Sequence, residues 1–314
     1  MIVNNLEMGS SVRKEHEIRG NHVHELNTYK KHKYPSVKLI FGVWMSLESK
    51  IKEVSESLEG KLGVAVKHLG TGEEHLLNAD ESFYFASVYK LPVLVELYRQ
   101  AEEGKVDLDE ELLLTKYAWR GGSGVIKELS PGLKMKVRDY RTLMMIISDN
   151  VAAQICACLV RNENTNNTMK ELGLKNTVVG GGWTPHKEGN VTTPRDMMVL
   201  LEKVYRGEAA SRGSCTKIIE LMKKCQTGEN RIWKYLPRDR VEVAHKTGTI
   251  SGVVNDVGIV FPKGCEPYVI CVFTKDIKGW DKGYEKWAEG GGITQGEEAI
   301  AKISKGAYDQ FVKQ

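Results

Sequence analysis

The tetrapeptide Ser87-Val-Tyr-Lys90 pairs a serine with a lysine three residues later. On a helix this spacing puts both side chains on one face, so the Lys90 amine can reach the Ser87 hydroxyl. A serine hydroxyl is a weak nucleophile until a base takes its proton, and a lysine whose pKa is lowered by burial and nearby cations can be that base. We expect Ser87 in the first turn of a helix, where free N–H groups favour negative charge.

Two further motifs follow along the chain, Ser148-Asp-Asn150 and Lys246-Thr-Gly248. Taken alone, the first is also typical of a helix cap or a turn. The second ends an alternating strand, where glycine lets a ligand backbone lie close to the strand edge; taken alone, it also fits a strand that ends in a turn. The ordered set of three motifs on helix, loop and strand favours one shared site.

The elements that must position these motifs are read from hydrophobic periodicity. Helices are predicted over residues 47–58 and 87–103, and a last helix is predicted to begin at the capping box Thr294-Gln-Gly-Glu297. Strands are predicted at both ends of the folded unit, over residues 62–69, 75–79, 241–247, 253–261 and 268–274. This order predicts an α+β fold, in which N- and C-terminal strands form one antiparallel sheet flanked by helices, with an all-helical lobe inserted between them.

The same pattern predicts the domain organisation. Residues 46–104 together with 241–314 form the α/β domain, and residues 105–240 form the helical domain. Residues 1–45 carry four of the eight histidines and no sustained apolar period. They are expected to be a mobile N-terminal extension.

Composition and charge exclude several classes of protein. Apolar residues make up 41% and charged residues 27%, as in a soluble globular chain. The formal charge of +4 is too small to indicate nucleic-acid binding. The longest apolar stretch near the start, residues 39–45, is too short to span a bilayer and lacks a small-residue cleavage site. The six cysteines are therefore expected to be free thiols rather than disulfides.

The three motifs resemble the signature of class A β-lactamases and penicillin-binding proteins. The resemblance covers residues 46–314 and includes Gly121-Gly-Ser-Gly124 and Thr192-Thr-Pro194. The spacing of 61 residues from Ser87 to Ser148 matches class A enzymes, whereas the 98 residues from Ser148 to Lys246 are several too few. The fold that this family implies is the β-lactamase/DD-peptidase-like α+β fold.

The resemblance also implies a catalytic role for each matching residue. Ser87 would attack an amide carbonyl and become acylated, with Lys90 as the base or proton relay. Ser148 would pass a proton to the leaving nitrogen.

Substrate binding is implied in the same way. Asn150 would bind the substrate side-chain amide, and Lys246 and Thr247 would attract the substrate carboxylate. Beyond Gly248, the backbone N–H of Thr249 would form an oxyanion hole with the N–H of the nucleophile.

Two departures from the family pattern bear on turnover and binding. Class A enzymes carry a glutamate, on a long loop before the T-T-P segment, that activates the deacylating water; here residues 179–190 are shorter and lack the E-x-x-L-N pattern. Glu188 and His186 are the titratable candidates for that task. Many class A enzymes also place an arginine on the strand after K-T-G, whereas residues 252–256 contain none.

The sequence thus predicts a serine hydrolase that opens the β-lactam ring of penicillin-type antibiotics through a Ser87 acyl-enzyme, with slow deacylation. The alternatives are a DD-peptidase-like amidase or esterase that β-lactams acylate, and a non-catalytic module that binds peptidoglycan peptides. A zinc hydrolase is weaker, because no H-x-H-x-D or H-E-x-x-H pattern is present. The expected partner is a small β-lactam or D-Ala-D-Ala-like amide, with no metal or organic cofactor. The oligomeric state and the compartment stay open.

Overall fold

A five-stranded antiparallel sheet forms the centre of the computed structural model, which describes residues 45–180, 189–278 and 291–312. The strands of the described chain are β1 (Lys61–His68), β2 (Glu74–Leu77), β3 (Phe83–Tyr84), β4 (Glu111–Leu113), β5 (Lys134–Lys136), β6 (Val191–Thr192), β7 (Val241–Ile250), β8 (Val253–Pro262) and β9 (Tyr268–Lys275). The order in the main sheet is β2-β1-β9-β8-β7. It unites strands from both ends of the folded unit, which confirms the predicted α+β fold class.

Helices surround this sheet and supply most of the chain between β3 and β7. They are α1 (Leu47–Ser57), α2 (Lys90–Glu102), α3 (Val137–Ile146), α4 (Asn150–Val160), α5 (Asn162–Glu171), α6 (Pro194–Arg206), α7 (Arg212–Lys223) and α8 (Gly291–Phe311). Short 3₁₀ turns lie at Ala86–Tyr89, Lys116–Ala118 and Ile126–Glu128. No helix of the described ranges is long and apolar enough to cross a membrane.

Both faces of the sheet are covered, which explains why nearly every residue of β8 and β9 is buried. On one face, Val64 and Val66 of β1 share an apolar cluster with residues of α1 and α8. On the other, Ala65 belongs to a larger cluster with Leu91 and Leu94 of α2 and with residues of the other central helices. The site-bearing strand β7 is an edge strand of this sandwiched sheet.

Several predicted boundaries shift. The helix expected at residues 87–103 starts as the 3₁₀ turn Ala86–Tyr89, and the α-helix begins only at Lys90. The last helix begins at Gly291, so the capping box predicted at Thr294 is wrong. All six cysteines lie in the described ranges and are free, as predicted.

The domain division stays a prediction. Residues from Met45 onward belong to one unit, and residues 1–44 lie outside the described ranges.

Candidate active site

The first two predicted residues, Ser87 and Lys90, meet at the start of α2. Ser87 lies in the 3₁₀ turn, where residues three apart are eclipsed, and the Nζ of Lys90 lies 3.2 Å from its Oγ. Ser87 is partly exposed, whereas Lys90 is fully buried. Ala86, just before the nucleophile, has a φ of 48°, a left-handed conformation that costs an L-residue free energy and is typical of functional sites. The turn therefore presents a hydroxyl to the solvent and a lysine amine behind it.

The Lys90 amine has four oxygen atoms within hydrogen-bond distance. The carbonyl oxygen of Ser148 at 2.7 Å and the Oδ1 of Asn150 at 2.8 Å can only accept hydrogen bonds. The Asn150 amide is oriented, because its Nδ2 donates to the carbonyl of Gly121 at 2.8 Å. A neutral amine has two N–H groups and one lone pair. In the neutral form, those two acceptors take both N–H groups and leave the lone pair for a serine hydroxyl.

The environment favours this neutral amine. Burial lowers the pKa of Lys90 well below its ordinary value, the positive charge of Lys246 lowers it further, and Asp149 only partly offsets them. Asp149 itself is fully buried as the N-cap of α4, and its oxygens accept N–H groups from Val151, Ala152, Val125 and Ile126 at 2.7–2.9 Å. This cap holds α4 and the loop before Val125 in place around the amine.

The Ser148 hydroxyl lies between two lysines. Its Oγ is 3.0 Å from the Nζ of Lys90 and 3.0 Å from the Nζ of Lys246. Once Lys90 has taken up a proton, both amines can donate to this oxygen, and the proton of Ser148 itself is then available to a third group. Ser148 has a φ of 57° and is 4% exposed, so the backbone holds this hydroxyl in a strained, buried turn.

Lys246 and Thr247 extend the site along β7. Lys246 is fully buried, and its Nζ also donates to the Thr247 carbonyl at 2.9 Å. Burial lowers the pKa of Lys246 to about 8; Cys225 and Asp256 raise it, and Arg231 lowers it. Most molecules therefore carry this charge at neutral pH.

Gly248 lets β7 pass directly beside the nucleophile turn. A Cβ atom there would collide with the carbonyl oxygen of Phe85 and lie 3.2 Å from the backbone nitrogen of Ser87. The glycine thus permits close approach of two protein backbones, not only of a ligand. It brings the backbone of Thr249 to the cavity that Ser87 lines.

Arg231 is a site residue that sequence reasoning missed. It lies between α7 and β7, is 5% exposed, and its guanidinium donates to the Thr249 Oγ1 at 2.6 Å, to the Asn255 carbonyl at 2.8 Å and to the Gly248 carbonyl at 3.3 Å. Glu297 is its ion-pair partner at 3.2 Å. The family pattern places an arginine on the strand after K-T-G, whereas Arg231 reaches the backbone of β7 from the segment that precedes this strand.

A cavity of about 440 Å³ opens at Ser87. Its walls include Tyr84, Arg120, Gln154 and Thr249, and no aspartate or glutamate among the described residues lines it. Gly180 also lines it, and a Cβ on Gly180 would lie 2.6 Å from the Cα of Gly189. Gly180 and Gly189 thus lie side by side. The candidates Glu188 and His186 lie outside the described residues.

The fold and the site define a class, the serine hydrolases. The sequence model of the β-lactamase enzyme family matches residues 46–311. Among curated proteins, β-lactamase VEB-1 of Pseudomonas aeruginosa is 25% identical over 255 residues, covering 74% of this chain and 83% of that one. The extended-spectrum β-lactamase PER-1 of the same organism is 28% identical over 247 residues, covering 73% and 80%.

Solved structures of similar fold belong to the same class of enzyme or to penicillin-binding proteins. A β-lactamase from Sphaerobacter thermophilus superposes with a TM-score of 0.76 at 28% identity, covering 85% of this chain and 97% of that one. PBP-A gives 0.75 at 26% identity, covering 85% and 96%. The chain belongs to the β-lactamase enzyme family and is a β-lactamase-like serine hydrolase.

Proposed function

We propose that the protein opens the β-lactam ring of penicillin-type antibiotics by forming an acyl-enzyme on Ser87. The observation that carries this proposal is the position of the buried Lys90 amine, 3.2 Å from Ser87 Oγ and 3.0 Å from Ser148 Oγ. One amine thus touches both the hydroxyl that must lose a proton and the hydroxyl that can return it.

The proton path follows from these contacts. The neutral Lys90 accepts the Ser87 proton as Oγ attacks the lactam carbonyl carbon. The resulting ammonium donates to Ser148, whose own proton passes to the ring nitrogen as the C–N bond breaks. The oxyanion lies between the N–H groups of Ser87 and Thr249, where preorganised donors stabilise developing negative charge.

The cations on β7 and beside it are proposed to hold the substrate carboxylate. Lys246 supplies charge, and the hydroxyls of Thr247 and Thr249 supply hydrogen bonds. The Arg231 guanidinium, bound to Thr249 Oγ1, adds a second cation without lying on the strand after K-T-G. Asn150 is proposed to use its Nδ2 for the substrate side-chain amide as well as for Gly121.

Deacylation is proposed to be slow. A water that attacks the Ser87 ester needs a base, and no carboxylate among the described residues lines the cavity. Glu188 is the candidate for this base, because it lies in the sequence between Gly180 and Asn190, which both line the cavity. Without a well-placed carboxylate, the acyl-enzyme persists.

A DD-peptidase-like amidase or esterase is the second candidate, and the same cavity favours it. Among the solved structures similar to this chain is a PBP-A variant as an acyl-enzyme complex with penicillin G. A non-catalytic peptide-binding module is less well supported, because the buried Lys90 has no evident use in binding.

The experiment is a quenched time course of intact-mass spectra after mixing the protein with benzylpenicillin. The proposal predicts an adduct with the mass of the whole antibiotic. The lifetime of this adduct should be many-fold longer than the time in which it forms. Glu188→Gln is expected to lengthen its lifetime, whereas the matched Glu56→Gln on the exposed face of α1 leaves it unchanged. The absence of both adduct and hydrolysis would refute the proposal.

Steady-state rates separate the candidates. A β-lactamase turns over a penicillin or cephalosporin faster than a D-Ala-D-Ala peptide or a p-nitrophenyl ester. A DD-peptidase-like enzyme shows the reverse order, with a stable penicillin adduct.

A further inference from the structure

Two arginines line the cavity at Ser87 that the proposed reaction does not use. Arg120 follows the 3₁₀ turn Lys116–Ala118, and Arg161 lies between α4 and α5. Most arginines of the described chain pair with a carboxylate, as Arg195 does with Asp80 at 2.6 Å. Within residues 45–180, 189–278 and 291–312, Arg120 and Arg161 have no such partner, and no aspartate or glutamate of these ranges lines the cavity. The described wall therefore carries two positive charges that no carboxylate offsets.

The chain between the lining residues Gly180 and Asn190 does not change this balance by its composition. Residues 181–189 contain one lysine and one glutamate, Lys187 and Glu188, whose formal charges cancel. The positive charge of the two arginines is thus a net charge.

Neutral groups hold the Arg120 guanidinium in place. Its Nε donates to the Oε1 of Gln154 at 3.2 Å, and its Nη1 donates to the carbonyls of Trp119 at 2.7 Å and Tyr117 at 3.3 Å. These acceptors orient the half-buried side chain but leave its charge intact. None of the three contacts uses Nη2. A guanidinium presents its N–H groups as a planar fork that matches a carboxylate, so Nη2 is suited to an anionic ligand.

The backbone of Arg161 is unusual for a residue with a side chain. Its φ of 67° and ψ of 131° end α4 and begin α5, in a region that glycine adopts far more easily. Such a conformation costs free energy and is typical of functional positions. The chain thus keeps an exposed arginine at the cavity wall where the backbone alone favours glycine.

The cavity lies on the acyl side of the nucleophile. Thr249 and Ile250 of β7 line it, whereas Lys246 and Thr247, the proposed carboxylate subsite, do not. The carboxylate of a penicillin is attached on the side of the leaving nitrogen. If this carboxylate lies at Lys246, the acyl side chain must extend the other way from Ser87, into the cavity. The volume of about 440 Å³ is within the usual range for small-molecule sites.

We propose that the cavity selects substrates whose acyl side chain carries a negative charge, and that Arg120 and Arg161 bind this charge. The inference rests on the proposed function, because it names the acyl group of the same reaction. A carboxylate on the acyl side chain gains charge-assisted hydrogen bonds from the arginines, whereas an ammonium group is repelled by them. The preferred substrate therefore has two anionic groups, one on each side of the bond that breaks.

The test uses three penicillins that differ only at the α-carbon of the acyl group. Carbenicillin has a carboxylate there, benzylpenicillin a hydrogen and ampicillin an ammonium group. Calorimetry gives Kd on Ser87→Ala, which cannot be acylated, at a pH of about 6.5, where the α-amine keeps its proton. We expect carbenicillin to bind at least about tenfold more tightly than benzylpenicillin, and ampicillin to bind more weakly than either. Equal Kd values for the three would overturn the proposal.

Substitutions in the Ser87→Ala background show whether the arginines cause this order. Arg120→Gln and Arg161→Gln should each reduce the advantage of carbenicillin severalfold, with the Kd of benzylpenicillin nearly unchanged. Arg161→Lys should keep part of the advantage. Arg212→Gln is the matched control, because Arg212 is an exposed arginine of α7 that does not line the cavity. Equal weakening of all three penicillins by the glutamine variants would assign the arginines a structural role and overturn the proposal.

Ionic strength gives a further readout on the same protein. Raising the salt from about 0.05 M to about 0.5 M should narrow the difference between carbenicillin and benzylpenicillin, because salt screens exposed charges. A difference that is independent of salt would contradict an electrostatic cause.

Acylation of the unaltered chain separates this inference from the proposed function. If none of the three penicillins forms an adduct, the proposed function fails, while the order of Kd values on Ser87→Ala still decides the charge preference. If all three acylate Ser87 with equal efficiency and bind with equal Kd, the proposed function stands and the preference for an anionic acyl group is refuted.

Discussion

The Nζ of Lys90 lies 3.2 Å from the Oγ of Ser87 across one 3₁₀ turn, with the amine buried and the hydroxyl partly exposed. This difference in burial gives the two groups different roles. Desolvation lowers the pKa of the amine, while the hydroxyl stays within reach of a substrate.

Replacing Lys90 tests whether the amine acts as a base or only as a cation. Lys90→Arg keeps a positive charge but cannot accept a proton, and Lys90→Met removes both. We expect both variants to slow acylation by about 10²- to 10⁴-fold, the usual contribution of a general base. Stopped-flow acylation rates measure this, with the exposed Lys52→Met as a control. Near-normal acylation by Lys90→Arg would assign the lysine an electrostatic role instead.

The pH dependence of kcat/KM should be bell-shaped. The rate rises as Lys90 loses its proton, because only the neutral amine accepts one, and the pKa of Lys90 is well below its ordinary value. It falls above a pH of about 8, because Lys246 then loses the charge that attracts the substrate carboxylate. In Lys246→Met, kcat/KM should be low at every pH and should not fall further above a pH of about 8. An alkaline limb that survives in this variant would assign it to another group.

Arg231 should act on carboxylate binding rather than on chemistry. Arg231→Met removes the positive charge beside Thr249 and the guanidinium that holds the Thr249 hydroxyl. We expect KM for benzylpenicillin to rise about tenfold to a hundredfold, with little change in kcat. A substrate without a carboxylate, such as a p-nitrophenyl ester, is the control and should be nearly unaffected. Equal losses on both substrates would point to a structural role alone.

Gly248→Ala should impair the oxyanion hole. Its Cβ collides with the Phe85 carbonyl, so β7 must move away from the nucleophile turn. The loss of one oxyanion donor typically costs about 10²- to 10³-fold in kcat. Gly213→Ala is the matched control, because the nearest atom to its Cβ is 3.9 Å away and it lies in α7. Wild-type kcat in Gly248→Ala would remove Thr249 N–H from the proposed mechanism.

The strands of the main sheet and the positions of the three motifs could be predicted from the sequence alone. Apolar periodicity is a local property, so β1, β7, β8 and β9 were predicted close to their observed bounds. The meeting of Ser87, Ser148 and Lys246 followed from the family resemblance, and the structure brings all three around the Lys90 amine.

What the sequence did not reveal depends on contacts between distant segments. Arg231 reaches Thr249 across 18 residues, and nothing in its local sequence marks it as buried. The 3₁₀ start of α2 depends on the left-handed Ala86, which local propensity disfavours.

The most direct measurement is peptide mapping of the benzylpenicillin adduct by mass spectrometry, with Ser87→Ala and the exposed Ser130→Ala compared under the same conditions. The mechanism predicts that the label lies on Ser87, that Ser87→Ala is folded but unlabelled, and that Ser130→Ala is labelled like the unaltered chain. Full labelling of a folded Ser87→Ala protein would contradict it.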